Sequence, residues 1–255
     1  MVEILFALRL HHDLIRKEIS QMPDAKTHVQ ATPRIALVHA LRESMDPCIQ
    51  AFARDWPEAN IVSLLDDSLP QDFADGASAS DLNGRFARLT DYAATGMSTD
   101  SARVSGILFT CSAFGESIEL SKKLVQIPVL SPFEAAFEEA IAMNCSVGLV
   151  ASFSPALAVL HADFKRIATS MNYKPRVSGI SADRALDALK GGHPEEHDQM
   201  VAEAATSLKD ADVLILCQFS LARATGLTEQ ATGKKVLSTP ASAVRRLRDL
   251  TGRFV

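Results

Sequence analysis

Short apolar runs recur from residue 34 onward, and mixed polar and apolar stretches of helical length separate them. Apolar runs of this length are typical of buried strands, and apolar spacings of three and four residues indicate amphipathic helices. Strands that alternate with helices favour an α/β protein with mostly parallel sheets flanked by helices. The first half is predicted to contain strands RIALVHA, NIVSLLDD, VSGILFT and IPVL, and helices from Pro47 to about Trp56, from about Asp81 to Ala94 and from about Ala113 to Val125.

A second set of elements repeats this order after a helix predicted from about Phe133 to Met143. The strand SVGLVAS resembles RIALVHA in length and character, and each half has a late strand that ends in a cysteine. This similarity indicates a duplicated unit. The remaining predictions are a helix from about Pro155 to Met171, strand RVSGI, a helix after His193-Pro194, strand DVLILC, strand KVLST and a final helix after Pro240.

The chain is therefore divided into an extension and two similar domains. Residues 1–33 are expected to form an N-terminal extension with one short helix and a linker. The first α/β domain is predicted at residues 34–132, completed by residues 238–255, and the second at residues 133–237. With 255 residues, the chain is long enough for two domains of ordinary size.

Composition narrows the class of protein. The chain is 47% hydrophobic and 22% charged, with a formal net charge of −5, so nothing favours binding to nucleic acid or an anionic membrane. The apolar opening MVEILFALRL does not resemble a signal peptide, because basic residues follow it rather than precede it and no small-residue cleavage site ends it. It is also too short to span a bilayer. We expect a cytoplasmic protein with free thiols.

Two of the four cysteines stand where chemistry is expected. Cys111 and Cys217 each follow a late strand and precede a helix, and ligands of open parallel sheets bind at this edge. The unpaired amides of a helix start favour an anion, so we expect them to lower the thiol pKa. Together with the hydroxyls of Ser112 and Ser220, these amides are candidates for binding a substrate carboxylate.

Two thiols that face each other across a cleft suit proton transfer at opposite faces of one carbon. This reaction needs neither a metal nor an organic cofactor. One such cysteine alone is more often a buried small hydrophobe, and the equivalent positions in two halves are what favour the catalytic interpretation. Cys48 lacks a counterpart in the second half, and Cys145, which precedes a strand, is predicted to be inert.

The motifs FTCSAFGESIE and ILCQFSLA, together with VHAL, LLDDSL and VLSTP, resemble those of the aspartate/glutamate/hydantoin racemase superfamily across residues 34–252. The resemblance implies two domains related by a pseudo-twofold axis, with the active site in the cleft between them. It implies that Cys111 and Cys217 are the acid/base pair. It further implies that the substrate-binding residues are Ser112, Ala113, Gln218, Phe219, Ala40, Leu41, Asp67, Ser68, Ser152 and Ser154, with Asp66 in the same loop.

Departures from the family pattern bear on the substrate. Ser-Ala follows the first cysteine where glutamate racemases usually have Asn-Thr, and Gln-Phe follows the second where they have Thr-His. HALRES replaces their acidic residue and glycine-rich turn after the first strand. These differences argue against glutamate. Maleate cis–trans isomerases and arylmalonate decarboxylases belong to the same superfamily, but the decarboxylases use one cysteine, so the presence of both argues mildly against that reaction.

Other polar groups have simpler interpretations. HPEEH, from His193 to His197, lacks the spacing of a metal site and is predicted to be a solvated helix start. His39 ends the first strand, where a position in the cleft is one alternative, and a hydrogen-bonded core position is favoured. Asp66 and Asp67 are more often turn or cap residues than paired catalytic carboxylates. No nucleotide-binding glycine motif is present, and ATGKK is predicted to be a turn.

The sequence thus predicts a cofactor-independent racemase or isomerase of a small carboxylate-bearing substrate, which acts by two-cysteine proton transfer. A maleate-type isomerase, an arylmalonate-type decarboxylase and a non-catalytic two-lobed ligand-binding protein are the alternatives. The expected partner is a small carboxylate, with no nucleic acid and no membrane, and the chain is expected to form a homo-oligomer.

Overall fold

The computed structural model describes residues 32–99, 102–174 and 176–252. The helix predicted in the N-terminal extension lies outside the described residues. Elements of the first half are β1 (Arg34–His39), α1 (Met45–Asp55), β2 (Asn60–Leu65), α2 (Leu69–Ala74), α3 (Ala79–Asp91), β3 (Val104–Phe109), α4 (Gly115–Ser121) and β4 (Val129–Leu130). A 3-10 turn (Arg42–Ser44) precedes α1, a π turn (Tyr92–Gly96) follows α3, and a 3-10 turn (Ser112–Phe114) precedes α4.

The second half repeats this order. Its elements are α5 (Glu134–Ala142), β5 (Val147–Ala151), α6 (Ser154–Ser170), β6 (Val177–Ser181), α7 (Ala185–Lys190), α8 (Pro194–Ala205), β7 (Val213–Leu216), α9 (Thr225–Thr232), β8 (Lys235–Ser238) and α10 (Thr239–Thr251). A 3-10 segment (Phe219–Ala224) leads from β7 into α9.

Each half contains a four-stranded parallel sheet, in the orders β2-β1-β3-β4 and β6-β5-β7-β8. The central strand β1 pairs with β2 and β3, and β5 pairs with β6 and β7 in the same way. This equivalence confirms the predicted fold class of two similar α/β units. Because all pairs are parallel, the loops after the strands of each sheet lie at one edge.

Alternating residues bury both faces of each sheet. In β1, Ile35 and Leu37 pack against α1 and α10, whereas Ala36 and Val38 pack beneath α3 and α4. Strands buried on both faces require continuous apolar runs, which is what the sequence shows.

The C-terminal helix α10 packs on the first sheet although it follows the last strand of the second. Its Ala243, Val244 and Leu247 join Phe52 and Leu108 in one cluster. Phe219, from the segment after β7, lies in the same cluster. The two halves therefore share buried apolar contacts.

Several helix predictions need correction. Helix α1 begins at Met45, after a 3-10 turn, so Pro47 is its third residue and not its first. Helix α3 begins at Ala79, where the Ser78 hydroxyl accepts a hydrogen bond from the Asp81 amide. Helices α2, α7 and α9 were not predicted, because at six to eight residues each they are too short to show clear periodicity.

None of the helices within the part of the chain that the structure describes is both long enough and apolar enough to cross a bilayer.

Tight packing at Gly148 generates a prediction about stability. A Cβ at Gly148 in β5 would lie 2.7 Å from Leu214 Cδ2 and 3.0 Å from Ala211 Cβ. We expect Gly148→Ala to lower the free energy of unfolding by about 1–3 kcal/mol, because overpacking a buried strand forces neighbouring side chains out of place. Urea denaturation measures this change. The control Gly226→Ala, where nothing lies within 4 Å, should change it little; equal effects of the two variants would contradict the packing argument.

Candidate functional site

A cavity of about 420 Å³ lies between the two halves, where the loops after β1, β3, β5 and β7 meet. Seven of the predicted site residues line it: Leu41, Cys111, Ser112, Ala113, Ser152, Gln218 and Phe219. Thr110, at the end of β3, and Ser220, whose hydroxyl was a candidate carboxylate ligand, line it as well. The loops that follow β3 and β7, which carry the two cysteines, therefore both contribute residues to the cavity lining.

Cys111 lies on the cavity wall at the N-cap position of the 3-10 turn Ser112–Phe114. Its side chain is partly exposed, and its sulfur accepts a hydrogen bond from the Ala113 amide. Burial nevertheless raises the pKa of the thiol, and the Ala113 amide only partly opposes this shift. The predicted lowering of the pKa is therefore wrong for Cys111, because desolvation outweighs one amide.

Cys217 occupies the equivalent place after β7, but its side chain is fully buried and does not line the cavity. Its sulfur donates a weak hydrogen bond to the Ile215 carbonyl at 3.4 Å. It packs with Leu237 and Phe164 on the face of the second sheet that α5 and α6 cover. Burial raises its pKa strongly, so it is a protonated thiol at neutral pH.

Gln218 connects the two strand-end loops of the second half. Its Oε1 accepts a hydrogen bond from the Ser152 amide at 3.0 Å, which fixes the orientation of the side-chain amide. Its Nε2 is buried and has no partner among the described residues. A buried N–H group without a partner is costly, and Gln218 lines the cavity, so it is a candidate donor to a ligand.

His39 is hydrogen-bonded to two residues of the cavity lining. Its Nδ1 lies 2.9 Å from the Thr110 hydroxyl and 3.2 Å from that of Ser44, and both hydroxyl residues line the cavity. The Ser44 hydroxyl donates to the Leu41 carbonyl at 2.7 Å. Burial lowers the pKa of His39 to about 4, so the imidazole is neutral at physiological pH. The prediction of a hydrogen-bonded core histidine is confirmed.

The acidic loop after β2 does not contribute to the cavity lining. Asp66 forms an ion pair with Arg85. Asp67 forms an exposed ion pair with Arg42, in which Nη2 and Oδ2 are 2.6 Å apart. The Ser68 hydroxyl donates to Asp66. These contacts fit the interpretation of the loop as structural. The lining on this side comes instead from Pro70 and Phe73 of α2, a helix that the sequence analysis did not identify.

Two other predicted binding residues also lie outside the lining. Ala40 is almost fully buried. The Ser154 hydroxyl lies 2.8 Å from that of Ser181 and is bonded to the Asp183 carboxylate. Ser154 therefore organises the start of α6, while its neighbours Phe153, Pro155 and Ala156 face the cavity.

The apolar residues of the lining were largely missed. Their signal in the sequence is weak, because single apolar residues in loops and short helices show no periodicity. Lys190, at the end of the unpredicted helix α7, was missed for the same reason. The lining residues that the sequence analysis did not single out are Ser44, Pro70, Phe73, Thr110, Phe114, Phe153, Pro155, Ala156, Val159, Leu186 and Lys190.

The remaining candidates lie away from this cavity. Cys48 is fully buried in the core beneath α1, and burial raises its pKa strongly. Helix α8 begins at Pro194 as predicted, but His197 is fully buried and bonded to Asp198, so the expectation of a solvated residue is wrong there. No cluster of metal-ligating side chains occurs among the described residues.

Solved structures share this fold. A glutamate racemase isoform from Bacillus anthracis is 12% identical, with a TM-score of 0.66 over 88% of this chain and 83% of that one. Allantoin racemase from Pseudomonas fluorescens is 18% identical, with a TM-score of 0.63 over 87% and 92%. Aspartate racemase from Picrophilus torridus is 10% identical, with a TM-score of 0.64 over 86% and 94%. At these identities the likeness shows the fold alone.

No curated protein sequence matches the chain. The family model described as Asp/Glu/hydantoin racemase matches residues 43–247, which include both strand-end cysteines and almost all of the cavity lining. The chain therefore belongs to the Asp/Glu/hydantoin racemase family.

Proposed function

We propose that this chain is a cofactor-independent racemase or isomerase of a small carboxylate-bearing substrate, such as an amino acid, a hydantoin or a related acid. Cys111 and Cys217 transfer protons at opposite faces of the carbon next to the carboxylate or carbonyl group. The observation that supports this proposal most is the position of Cys111 on the wall of a cavity built from both halves. Membership of a racemase family supports the same class of reaction.

In this reaction the Cys111 thiolate removes the α-proton, and the electron pair left on carbon is delocalised into the adjacent carbonyl group. The Cys217 thiol then donates its proton to the opposite face. After one turnover, Cys111 holds a proton and Cys217 is a thiolate. The enzyme then acts on the product enantiomer or exchanges protons with water. Each sulfur must come within about 3–3.5 Å of the carbon.

The groups around Cys111 suit the developing negative charge. The Ala113 amide donates to the sulfur and stabilises the thiolate. Gln218 Nε2 has unused N–H groups and lines the same cavity, so it is the best-placed donor to a carboxylate oxygen. The hydroxyls of Ser112 and Ser220 are further donors from the lining.

Cys217 requires a rearrangement before it can act. Its side chain must turn away from the Ile215 carbonyl toward the cavity, which breaks one weak S–H···O hydrogen bond. The residues that follow it, Gln218 to Ser220, already line the cavity, and we propose that a local rotation of Cys217 brings its sulfur to the same surface.

The burial of Cys217 favours a second candidate function, in which Cys111 works alone. In a decarboxylation, the carbon–carbon bond to the carboxylate breaks, CO₂ leaves and the Cys111 thiol protonates the carbanion. In a cis–trans isomerisation, the Cys111 thiolate adds to the double bond and is eliminated after rotation. Neither reaction needs a second thiol.

Variants of the two cysteines test the proposal. We expect Cys111→Ser and Cys217→Ser each to lower racemisation at least about 100-fold, because a proton donor or acceptor is lost at one face. Circular dichroism measures racemisation, and proton NMR in heavy water measures α-proton exchange, across a panel of amino acids, hydantoins and dicarboxylates. Cys48→Ser and Cys145→Ser are controls that should retain most activity.

The same assays separate the alternatives. Near-normal racemisation by Cys217→Ser would contradict the two-thiol mechanism. Turnover of dicarboxylates that depends on Cys111 but not on Cys217 would support the one-thiol reaction. Binding of panel members without exchange or turnover by the wild-type protein would indicate a ligand-binding protein.

A raised pKa of Cys111 has a measurable consequence in the free protein. Iodoacetamide reacts with the thiolate, so we expect alkylation of Cys111 to accelerate continuously from pH 7 to pH 9 without reaching a plateau. Mass spectrometry of the Cys111 peptide gives the rate separately from the other cysteines. A rate that reaches a plateau below pH 8 would show a lowered pKa and contradict the dominance of desolvation.

The proposed acid and base are both side chains of the chain itself. We therefore expect activity, once a substrate is known, to survive exhaustive dialysis against EDTA and to show no pyridoxal absorbance. Restoration of lost activity by a divalent metal would refute cofactor independence.

A further inference from the structure

Apolar side chains dominate the wall of the cavity. Phe73 is 50% exposed, Phe153 43% and Val159 49%, and these are three of the eight large exposed hydrophobic residues among those described. Scattered exposed hydrophobics need no explanation, but three around one cavity mouth mark a surface that a ligand covers. Apolar residues from both halves complete this wall: Leu41, Pro70, Phe114, Pro155, Ala156 and Leu186.

The charge on this wall is limited to one group. Lys190 is the single charged residue of the lining within the described part of the chain, and it makes no ion pair with another described residue. Its side chain is exposed to solvent, and an unpaired cation beside an apolar wall attracts one anionic group. Gln218 Nε2, also from the second half, adds an uncharged donor that has no partner among the residues the structure describes.

Among the described residues, no carboxylate lines the cavity, so a substrate ammonium group finds no anionic partner in this lining. In the loop after β2, Asp66 is ion-paired with Arg85 and Asp67 with Arg42. The hydroxyls of Ser44 and Thr110 are hydrogen-bonded to each other at 2.9 Å, which leaves them poor acceptors for a buried cation. Burying an ammonium group without a partner is strongly unfavourable.

We propose that the substrate is a monocarboxylate with a bulky apolar group and without a free ammonium group. Its carboxylate binds Lys190 and Gln218, and its apolar group covers Phe73, Phe153 and Val159. This proposal rests on the proposed function, because it takes the cavity beside Cys111 as the reaction site. It excludes free acidic amino acids, which carry two carboxylates, one ammonium group and no large apolar group.

Binding of four small compounds tests the proposal independently of turnover. Isothermal titration calorimetry on the full chain compares 3-phenylpropionate with phenylalanine, 3-phenylpropanamide and glutarate. Phenylalanine adds an ammonium group, 3-phenylpropanamide removes the carboxylate charge, and glutarate replaces the ring with a carboxymethyl group that carries a second carboxylate. We expect 3-phenylpropionate to bind at least about tenfold more tightly than each of the others.

Variants locate the two contacts. We expect Lys190→Gln to weaken 3-phenylpropionate binding about tenfold, and Lys190→Arg to retain most of the affinity. Phe73→Ser should weaken it by a similar factor, because the apolar contact is lost. Lys123→Gln and Leu124→Ser are matched controls, since both residues are exposed and lie outside the cavity lining. They should leave the affinity unchanged.

The outcomes separate this inference from the proposed function. Tight, Lys190-dependent binding of 3-phenylpropionate supports the substrate class even if no racemisation is found. Equal or tighter binding of glutarate or phenylalanine overturns it, as does an unchanged affinity in Lys190→Gln. Racemisation confined to acidic amino acids overturns the substrate class while leaving the proposed function intact.

Discussion

The parallel pairing of a central strand in each half is the constraint on which the site depends. Because β1 pairs with β3, and β5 with β7, in parallel register, the carboxyl ends of four strands meet at two sheet edges. The shared core around Phe219 and α10 holds those edges together. The cavity is therefore a consequence of the topology, and its chemistry is set by the few residues that follow each strand.

Those residues put two thiols in different environments. Cys111 reaches the cavity and receives one amide hydrogen bond, whereas Cys217 is buried against the helices that cover the second sheet. Desolvation raises the pKa of both. A helix start favours a thiolate only where its amides outweigh the loss of water, and here they do not. The symmetry of the fold thus does not extend to the exposure of the cysteines.

The sequence was sufficient for the parallel sheets, since buried strands require apolar runs that are visible without a structure. It was also sufficient to place Cys111, Ser112 and Gln218 at strand ends. The sequence did not predict helices α2 and α7, which are too short to show periodicity. It therefore did not identify Phe73 and Lys190, which these helices carry, as residues of the site. Nor did it show that Cys217 faces the core, because a strand-end residue can turn to either side of the sheet.

The apolar wall and the raised pKa of Cys111 have the same physical origin. Burial lowers the fraction of Cys111 present as thiolate, but the thiolate that forms is a stronger base. A weakly acidic carbon–hydrogen bond next to a carboxylate needs such a base. A substrate with an apolar group excludes water from the cavity when it binds, whereas the second charge of a doubly charged substrate retains bound water there. The chemistry of the thiol and the chemistry of the wall therefore favour the same class of substrate.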